Sequence, residues 1–171
     1  MITPPNTSSR PRIALPRTAL DSTLEVLGLA IIAGTLAWLV SIWTGIPARV
    51  PQHFDFAGHV DRWGDRSTFV VLPIIGIVLY AGLSALQRVP HIFNFPVAVT
   101  EANAPRLYRA GVSMIRWLKV EIVAMFGVLQ WETVQVAIGA EQSMPNTLVL
   151  CFVALILGTV GVFVVKMMKK R

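Results

Sequence analysis

Four long apolar blocks divide this chain of 171 residues and constrain what it can fold into. They cover approximately residues 24–43, 68–86, 117–138 and 148–165. A helix needs about 20 residues to cross a bilayer at a rise of roughly 1.5 Å per residue, and each block comes close to that length. Only 14% of the residues are charged, whereas soluble domains carry about a quarter. The blocks therefore predict an all-α integral membrane protein that folds as a four-helix bundle.

We expect a single transmembrane domain over residues 21–171, preceded by a short tail. Residues 1–20 are rich in Pro, Ser, Thr and Arg, a composition that predicts disorder. Ser22 and Glu25 have the spacing of a capping box, which predicts that the first helix begins there. Cys151 lies in an apolar run and is expected to be a small buried or lipid-facing side chain.

The distribution of positive charge predicts the orientation of the chain. Most of the 15 Lys and Arg residues lie in the N-terminal tail, in the connection 87–116 and in the C-terminal tail. The connection 44–67 carries only Arg49, Arg62 and Arg66. Because positive charge is retained on the cytoplasmic side, we expect both termini and the connection 87–116 to be cytoplasmic, and the connection 44–67 to be extracytoplasmic. Since these cations flank apolar spans instead of forming one basic face, binding to nucleic acid is not expected.

The outer connection 44–67 contains more polar and aromatic side chains than a simple link between two helices needs. Pro47 and Pro51 stiffen it, while Gly58 and Gly64 supply turns. The polar and aromatic side chains between them are His53, Phe54, Asp55, His59, Asp61 and Trp63. We interpret this connection as a ligand-binding loop, with a purely structural cap as the alternative. His53 and His59 are weak candidates for a zinc site, but their spacing matches no strong metal signature, so no metal or cofactor is predicted.

Three polar residues interrupt the third apolar block. Glu121, Glu132 and Gln135 fall on nearly one face of a helix. An ionisable group inside a membrane is costly and usually faces the bundle interior or a cavity. Glu121 lies close to Lys119 and is expected to pair with a basic group or to reach the interface. Glu132 is deeper, and it indicates either a transport pathway or a structural hydrogen bond between helices.

Segment 46–65 reads IPARVPQHFDFAGHVDRWGD and resembles the hallmark loop of a bacterial membrane family. This is domain-of-unknown-function family 1648, which also forms the N-terminal part of SdpI-like immunity proteins. The family pattern has an apolar helix, a loop with two prolines, His-Phe-Asn/Asp, Gly, Asp and Trp-Gly, and a second apolar helix. The resemblance covers approximately residues 24–86. A second similarity, to a cytoplasmic motif of the longer, four-helix branch of the family, concerns Pro90, His91, Asn94 and Pro96.

The resemblance implies a multi-pass protein of the bacterial inner (cytoplasmic) membrane. SdpI-like members confer resistance to a secreted toxin and take part in signalling to a repressor, whereas this chain is shorter and has the first half of the pattern plus two further spans. We therefore expect an immunity-like binding or sensing protein, not an enzyme, whose outer loop engages a peptide or protein partner. Two alternatives stay open, namely a small transporter or transport accessory that uses Glu132 and a membrane metalloenzyme. Assembly into a homo-oligomer also stays open.

Overall fold

The computed structural model describes residues 10–169, and within this range the fold is mostly helical. The long helices are α1 (Ala19–Ile42), α2 (Val71–Leu86), α3 (Ala104–Ala137) and α4 (Asn146–Met168). Between α1 and α2 the chain forms an antiparallel hairpin of β1 (Arg49–Phe54) and β2 (Val60–Asp65). Short 3-10 turns cover Trp43–Gly45, Arg66–Val70 and Pro90–Ile92.

The hairpin corrects the prediction that the fold is purely α-helical. Val50 pairs with Gly64 and Phe54 with Val60, with an irregularity in register around Gln52. Proline and glycine inside the two strands concealed them, because both residues are typical of turns. A ribbon of two strands nevertheless accepts Pro51, since each strand has one edge that needs no ladder hydrogen bond.

Helix α1 begins about one turn earlier than its sequence predicts. The Thr18 hydroxyl accepts a hydrogen bond from the Asp21 N–H at 3.2 Å, and the Asp21 carboxylate accepts one from the Thr18 N–H at 2.8 Å. This reciprocal pair is the capping box of α1. The predicted box at Ser22 and Glu25 is therefore wrong, and the Glu25 side chain is available for contacts between helices.

Helix α3 is the centre of the bundle and packs against α1, α2 and α4. It begins at Ala104, so much of the predicted connection 87–116 is helical. At this end of α3, Leu107 and Tyr108 are fully buried. Ile13 and Leu15 pack against the same cluster, so part of the segment before α1 contacts the bundle. Residues 1–9 of the predicted tail lie outside the described residues.

Three helical segments are long and apolar enough to cross a membrane, namely Ala19–Gly45, Arg66–Leu86 and Asn146–Met168. Their outer faces carry large apolar side chains, including Val40, which is 75% exposed, and Leu157, which is 64% exposed. Such surfaces are unfavourable in water and favourable in hydrocarbon. The predicted third span is not among the three, because α3 carries Lys119, Glu121 and Glu132 within its apolar stretch. The chain thus has the character of a membrane protein with three candidate spans.

Candidate functional site

The tip of the hairpin is closed by Asp55 and Gly58. The Asp55 carboxylate accepts hydrogen bonds from the backbone N–H groups of Ala57 and His59, at 2.8 and 2.9 Å. Gly58 between them has a φ of +83°. The hydrogen bond from the His59 N–H is the main cause that lowers the pKa of Asp55 below its ordinary value. A side-chain acceptor at this position holds a tight turn together.

The hairpin tip lies directly on the connection between α3 and α4. The Met144 N–H donates to the Gly58 carbonyl at 2.9 Å, and the Asn146 side-chain amide donates to the Phe56 carbonyl. A Cβ atom on Gly58 would lie 2.1 Å from the Met144 carbonyl oxygen. Gly58 therefore meets two geometric needs, a positive φ and a close approach of two backbones.

The base of the hairpin is anchored in the hydrophobic core. Val50 is fully buried in a cluster whose other buried members are Leu39, Ile46, Phe69 and Val134. Pro51 is also fully buried, whereas Pro47 is exposed. At the end of β2 the Asp65 carboxylate accepts a hydrogen bond from the Ser67 N–H at 2.8 Å, which lowers the pKa of Asp65. The strand ends are thus held by the bundle and by a capped turn.

The two histidines of the hairpin each face a different carboxylate. His53 Nδ1 lies 2.7 Å from Asp61 Oδ1, and His59 Nδ1 lies 3.6 Å from Asp55 Oδ2. All four side chains are well exposed. Residues 10–169 contain no group of three or more His, Cys, Asp or Glu side chains that could hold a metal ion. The metalloenzyme alternative therefore has no ligand set in the described part of the chain.

A groove of about 560 Å³ opens beside the hairpin. Its polar lining residues are Gln52, His53, Arg62, Thr68 and Thr133. The rest of the lining is apolar and includes Pro51, Phe54, Leu72, Leu129 and Val149. The lining comes from the hairpin, from the turn before α2 and the start of α2, from α3, and from the connection to α4 and the start of α4. A mostly apolar concavity of this size with a few polar groups is typical of small-ligand sites.

The predicted loop motif thus divides into two groups. Pro51, His53 and Phe54 line the groove. Asp55, Gly58 and Gly64 shape the hairpin instead. At Gly64 the Gln52 amide occupies the space that a Cβ would need, 1.8 Å away. Trp63 lies opposite Pro51 in the strand pairing and is 45% exposed. Arg62 is a groove residue that sequence reasoning did not single out.

The predicted polar stripe on α3 meets different surroundings along its length. Glu121 is buried and accepts a hydrogen bond from the Thr159 hydroxyl of α4 at 2.6 Å, instead of pairing with a basic group as expected. Glu132 is also buried, and within residues 10–169 its carboxylate makes no side-chain hydrogen bond or ion pair. Gln135 is partly buried. Gln130, which lies off the stripe, is fully buried, and its amide has no hydrogen-bond partner among the described residues.

A buried ion network that sequence analysis missed lies at the end of the helices opposite the hairpin. Lys119 is 1% exposed and donates to both oxygens of Glu25, at 2.8 and 2.7 Å, and to the Ser84 hydroxyl at 2.9 Å. Its ammonium lies 4.4 Å from the centre of the Tyr80 ring. The Tyr80 hydroxyl and the Gln87 amide also donate to the Glu25 carboxylate. One carboxylate on α1 therefore connects α1, α2 and α3.

The same network extends to a second buried carboxylate. Asp21 is 4% exposed and pairs with Arg109 at 3.0 Å and with Arg116.

The sequence contained one signal for the pairing of Lys119 with another helix, because residues two apart do not share a helix face. Lys119 and Glu121 must therefore point to different neighbours, and the cation needs its partner on another helix.

The predicted cytoplasmic motif precedes the beginning of α3 and packs against it. Pro90 is buried and opens a 3-10 turn, and Arg10 donates to the carbonyl of His91 at 3.3 Å. The Phe95 ring stacks on Tyr108 with centroids 5.6 Å apart. Burial raises the pKa of the Tyr108 hydroxyl. The motif residues that stay more exposed than Pro90 are His91, Asn94 and Pro96.

One of the comparisons with known proteins locates a match on the hairpin region. A family described as "Domain of unknown function (DUF1648)" matches residues 30–77, which hold most of α1, the hairpin and the start of α2. An uncharacterized protein of Archaeoglobus fulgidus is 32% identical over 91 residues, which cover 47% of this chain and 50% of the relative. The chain thus spans about half the length of the curated relative that it matches. No solved structure matches this chain.

Proposed function

We propose that this protein is a multi-pass membrane protein that binds an extracytoplasmic ligand in the groove beside its hairpin, in a binding or sensing role without catalysis. The observation that supports this most is the groove itself, about 560 Å³ in volume and lined by His53, Phe54 and Arg62. The residues that match the described family shape the hairpin on one side of it. The other side comes from α3 and α4.

In this proposal all four helices cross a bacterial inner membrane, with both termini cytoplasmic and the hairpin outside. The position of Lys and Arg along the chain supports the orientation. The contacts of α3 support its inclusion as a span, because Lys119 pairs with Glu25 of α1 and Glu121 with Thr159 of α4. Charged groups within a membrane are tolerated when they face partners inside a bundle.

The lining of the groove favours an amphipathic ligand. Arg62 is permanently charged and suits a carboxylate or another anionic group. His53 is held by Asp61 at the same rim, while Phe54 and the helix residues offer apolar contacts. A peptide with an apolar side chain and an acidic group has this combination of properties. The resemblance of the loop to SdpI-like immunity proteins also favours a peptide over other envelope components.

Photocrosslinking at two phenylalanines tests this proposal directly. Phe54 lines the groove, whereas the Phe56 side chain at the hairpin tip is fully exposed. Replacing each in turn by benzoylphenylalanine changes one aromatic residue for another and places the same photoreactive group inside or outside the groove. After irradiation of intact cells, we expect a discrete adduct from position 54 that is absent from position 56.

Two further variants connect the adduct to the chemistry of the groove. His53→Ala or Arg62→Gln should abolish the adduct at position 54 with unchanged abundance in the membrane, whereas Arg49→Gln, an exposed arginine outside the groove lining, should leave it intact. The same adducts at both positions, or no adduct at position 54, would show that the hairpin is only a structural cap.

We propose transport, or assistance to a transporter, as a second candidate function. Two buried polar residues of α3 support it. The Gln130 amide is unsatisfied among the described residues, and Glu132, which is 6% exposed, forms no side-chain hydrogen bond or ion pair with them. Four helices are few for a pathway, so this role requires a homo-oligomer. Glu132→Gln should abolish a proton- or ion-driven flux in proteoliposomes, while Glu101→Gln, an exposed control, should not. Equal flux in both variants would remove Glu132 from the mechanism.

A further inference from the structure

A basic cavity lies at the end of the bundle opposite the hairpin, and it is separate from the groove. Its volume is about 550 Å³. Its charged and amide lining residues are Arg17, Glu25, Gln87, Arg88 and Arg116. A neighbouring cavity of about 350 Å³ shares Arg88 with it and adds Arg12 and His91. Together the two form one recess between the segment before α1, the end of α2 and the first half of α3.

Cations outnumber carboxylates around this recess. Glu25 is the one carboxylate among its described lining residues, and the Lys119 ammonium already binds both of its oxygens. Arg17 and Arg88 are exposed, and within residues 10–169 neither forms an ion pair. All 9 Asp and Glu residues fall in that range. No acidic side chain elsewhere in the chain is therefore left to neutralise the two arginines.

The wall of the cavity also carries buried hydrogen-bonding atoms that have no partner in the described part of the chain. Arg116 is 7% exposed, and its Nε atom lies 3.8 Å from Glu25, which is beyond hydrogen-bond distance. Gln87 Oε1 is likewise buried and unsatisfied among the described residues. Buried polar atoms of native proteins nearly always have partners, so these two indicate a polar ligand or water in the cavity.

We propose that this cavity binds the phosphate group of an anionic ligand, either a phospholipid head group or inorganic phosphate. A phosphate group matches the planar fork of arginine, and Arg17 and Arg88, which form no ion pair among the described residues, line the same cavity. The carboxylate that would repel it is already neutralised by Lys119. A protonated phosphate oxygen would satisfy the free Gln87 oxygen. Binding in this cavity requires neither the hairpin nor a particular orientation of the chain in the membrane.

The first experimental arm uses inorganic phosphate on the purified full chain in mild detergent. Phosphate, compared with sodium chloride at equal ionic strength, should raise the thermal unfolding midpoint. Arg17→Gln and Arg88→Gln each remove one charged donor and should require about tenfold more phosphate for the same rise. Arg49→Gln is the matched control, because it removes an exposed arginine of β1 at the opposite end and should behave like the wild type.

In the second arm, the chain is reconstituted into vesicles that contain equal amounts of phosphatidylglycerol and phosphatidylcholine. The chain is then extracted in mild detergent, and mass spectrometry counts the lipids that it retains. Selective retention of phosphatidylglycerol that is lost in Arg88→Gln but not in Arg49→Gln identifies a phospholipid as the source. A phosphate effect without lipid retention identifies inorganic phosphate. Wild type, Arg88→Gln and Arg49→Gln that behave alike in both arms would overturn the proposal.

Discussion

Replacing Gly58 by Ala should detach the hairpin tip from the connection between α3 and α4. Its φ of +83° lies in the left-handed region, where an alanine costs about 1–2 kcal/mol. The new Cβ would lie 2.1 Å from the Met144 carbonyl oxygen, so the tip must move. That movement breaks the hydrogen bond between the Met144 N–H and the Gly58 carbonyl, which contributes about 1 kcal/mol. We expect the free energy of unfolding to fall by roughly 2–3 kcal/mol in total.

Two other glycines separate the two contributions. Gly139 has a φ of +77°, and a Cβ atom added there would meet nothing within 4 Å, so Gly139→Ala should show only the backbone cost, about 1–2 kcal/mol. Gly82 lies inside α2 without a positive φ and with open space around it. Gly82→Ala should therefore leave the protein as stable as before, or more stable by up to about 1 kcal/mol.

Unfolding in detergent and limited proteolysis measure the two effects. The unfolding free energies should follow the order Gly82→Ala, Gly139→Ala, Gly58→Ala, with the last variant the least stable. Trypsin cleavage at Arg62 in β2 should become faster in Gly58→Ala and stay unchanged in Gly139→Ala, because only the first loosens the hairpin. If Gly58→Ala matches Gly139→Ala in both measurements, the contact between the tip and Met144 does not hold the hairpin in place.

Three further predictions concern charged groups. Glu25→Gln leaves the Lys119 ammonium buried without its carboxylate and should therefore lower the unfolding free energy by about 3–5 kcal/mol. Adding Lys119→Met to the same chain should restore part of that loss. A mild effect of Glu25→Gln alone would contradict the network. Asp61→Asn removes only an exposed contact with His53 and should change the unfolding free energy by less than about 1 kcal/mol. Because the folded pKa of Asp55 is lowered, its stabilisation of the hairpin tip is complete at neutral pH and is lost as the pH falls from 3.8 through the lower folded pKa; intrinsic fluorescence should report this transition, and its persistence in Asp55→Asn would assign it to another group.

Hydropathy was sufficient to locate the long helices because an apolar block of this length has few alternatives to a helix. The predicted limits of the last span, 148–165, fall inside α4 (Asn146–Met168). The hairpin escaped prediction because its strands contain Pro51 and Gly64, and because tertiary contacts hold it. Val50, for example, is buried by α1, α3 and the turn before α2, none of which is adjacent to it in the chain.

The site was predictable only in part. The connection 44–67 was recognisable as a motif, but Leu129 and Val149 complete the groove from distant helices, and no local pattern indicates that they do. The ion network shows the same limit, since the partner of Lys119 lies on the first helix of the chain. Spacing along a helix indicated which residues share a face, whereas the identity of the facing helix depends on the packing of the whole bundle.

The central position of α3 has a consequence for how the protein is made. Helices α1, α2 and α4 are apolar enough to enter a bilayer separately, whereas in the four-span arrangement that we propose α3 would carry a lysine and two glutamates into the same layer. In the four-span arrangement, Lys119 finds its carboxylate on α1 and its hydroxyl partner on α2, which are both synthesised earlier. In that arrangement Glu25 and Ser84 are synthesised and inserted before Lys119, whose charge they stabilise. A chain in which α3 preceded α1 would have to insert that lysine without its carboxylate.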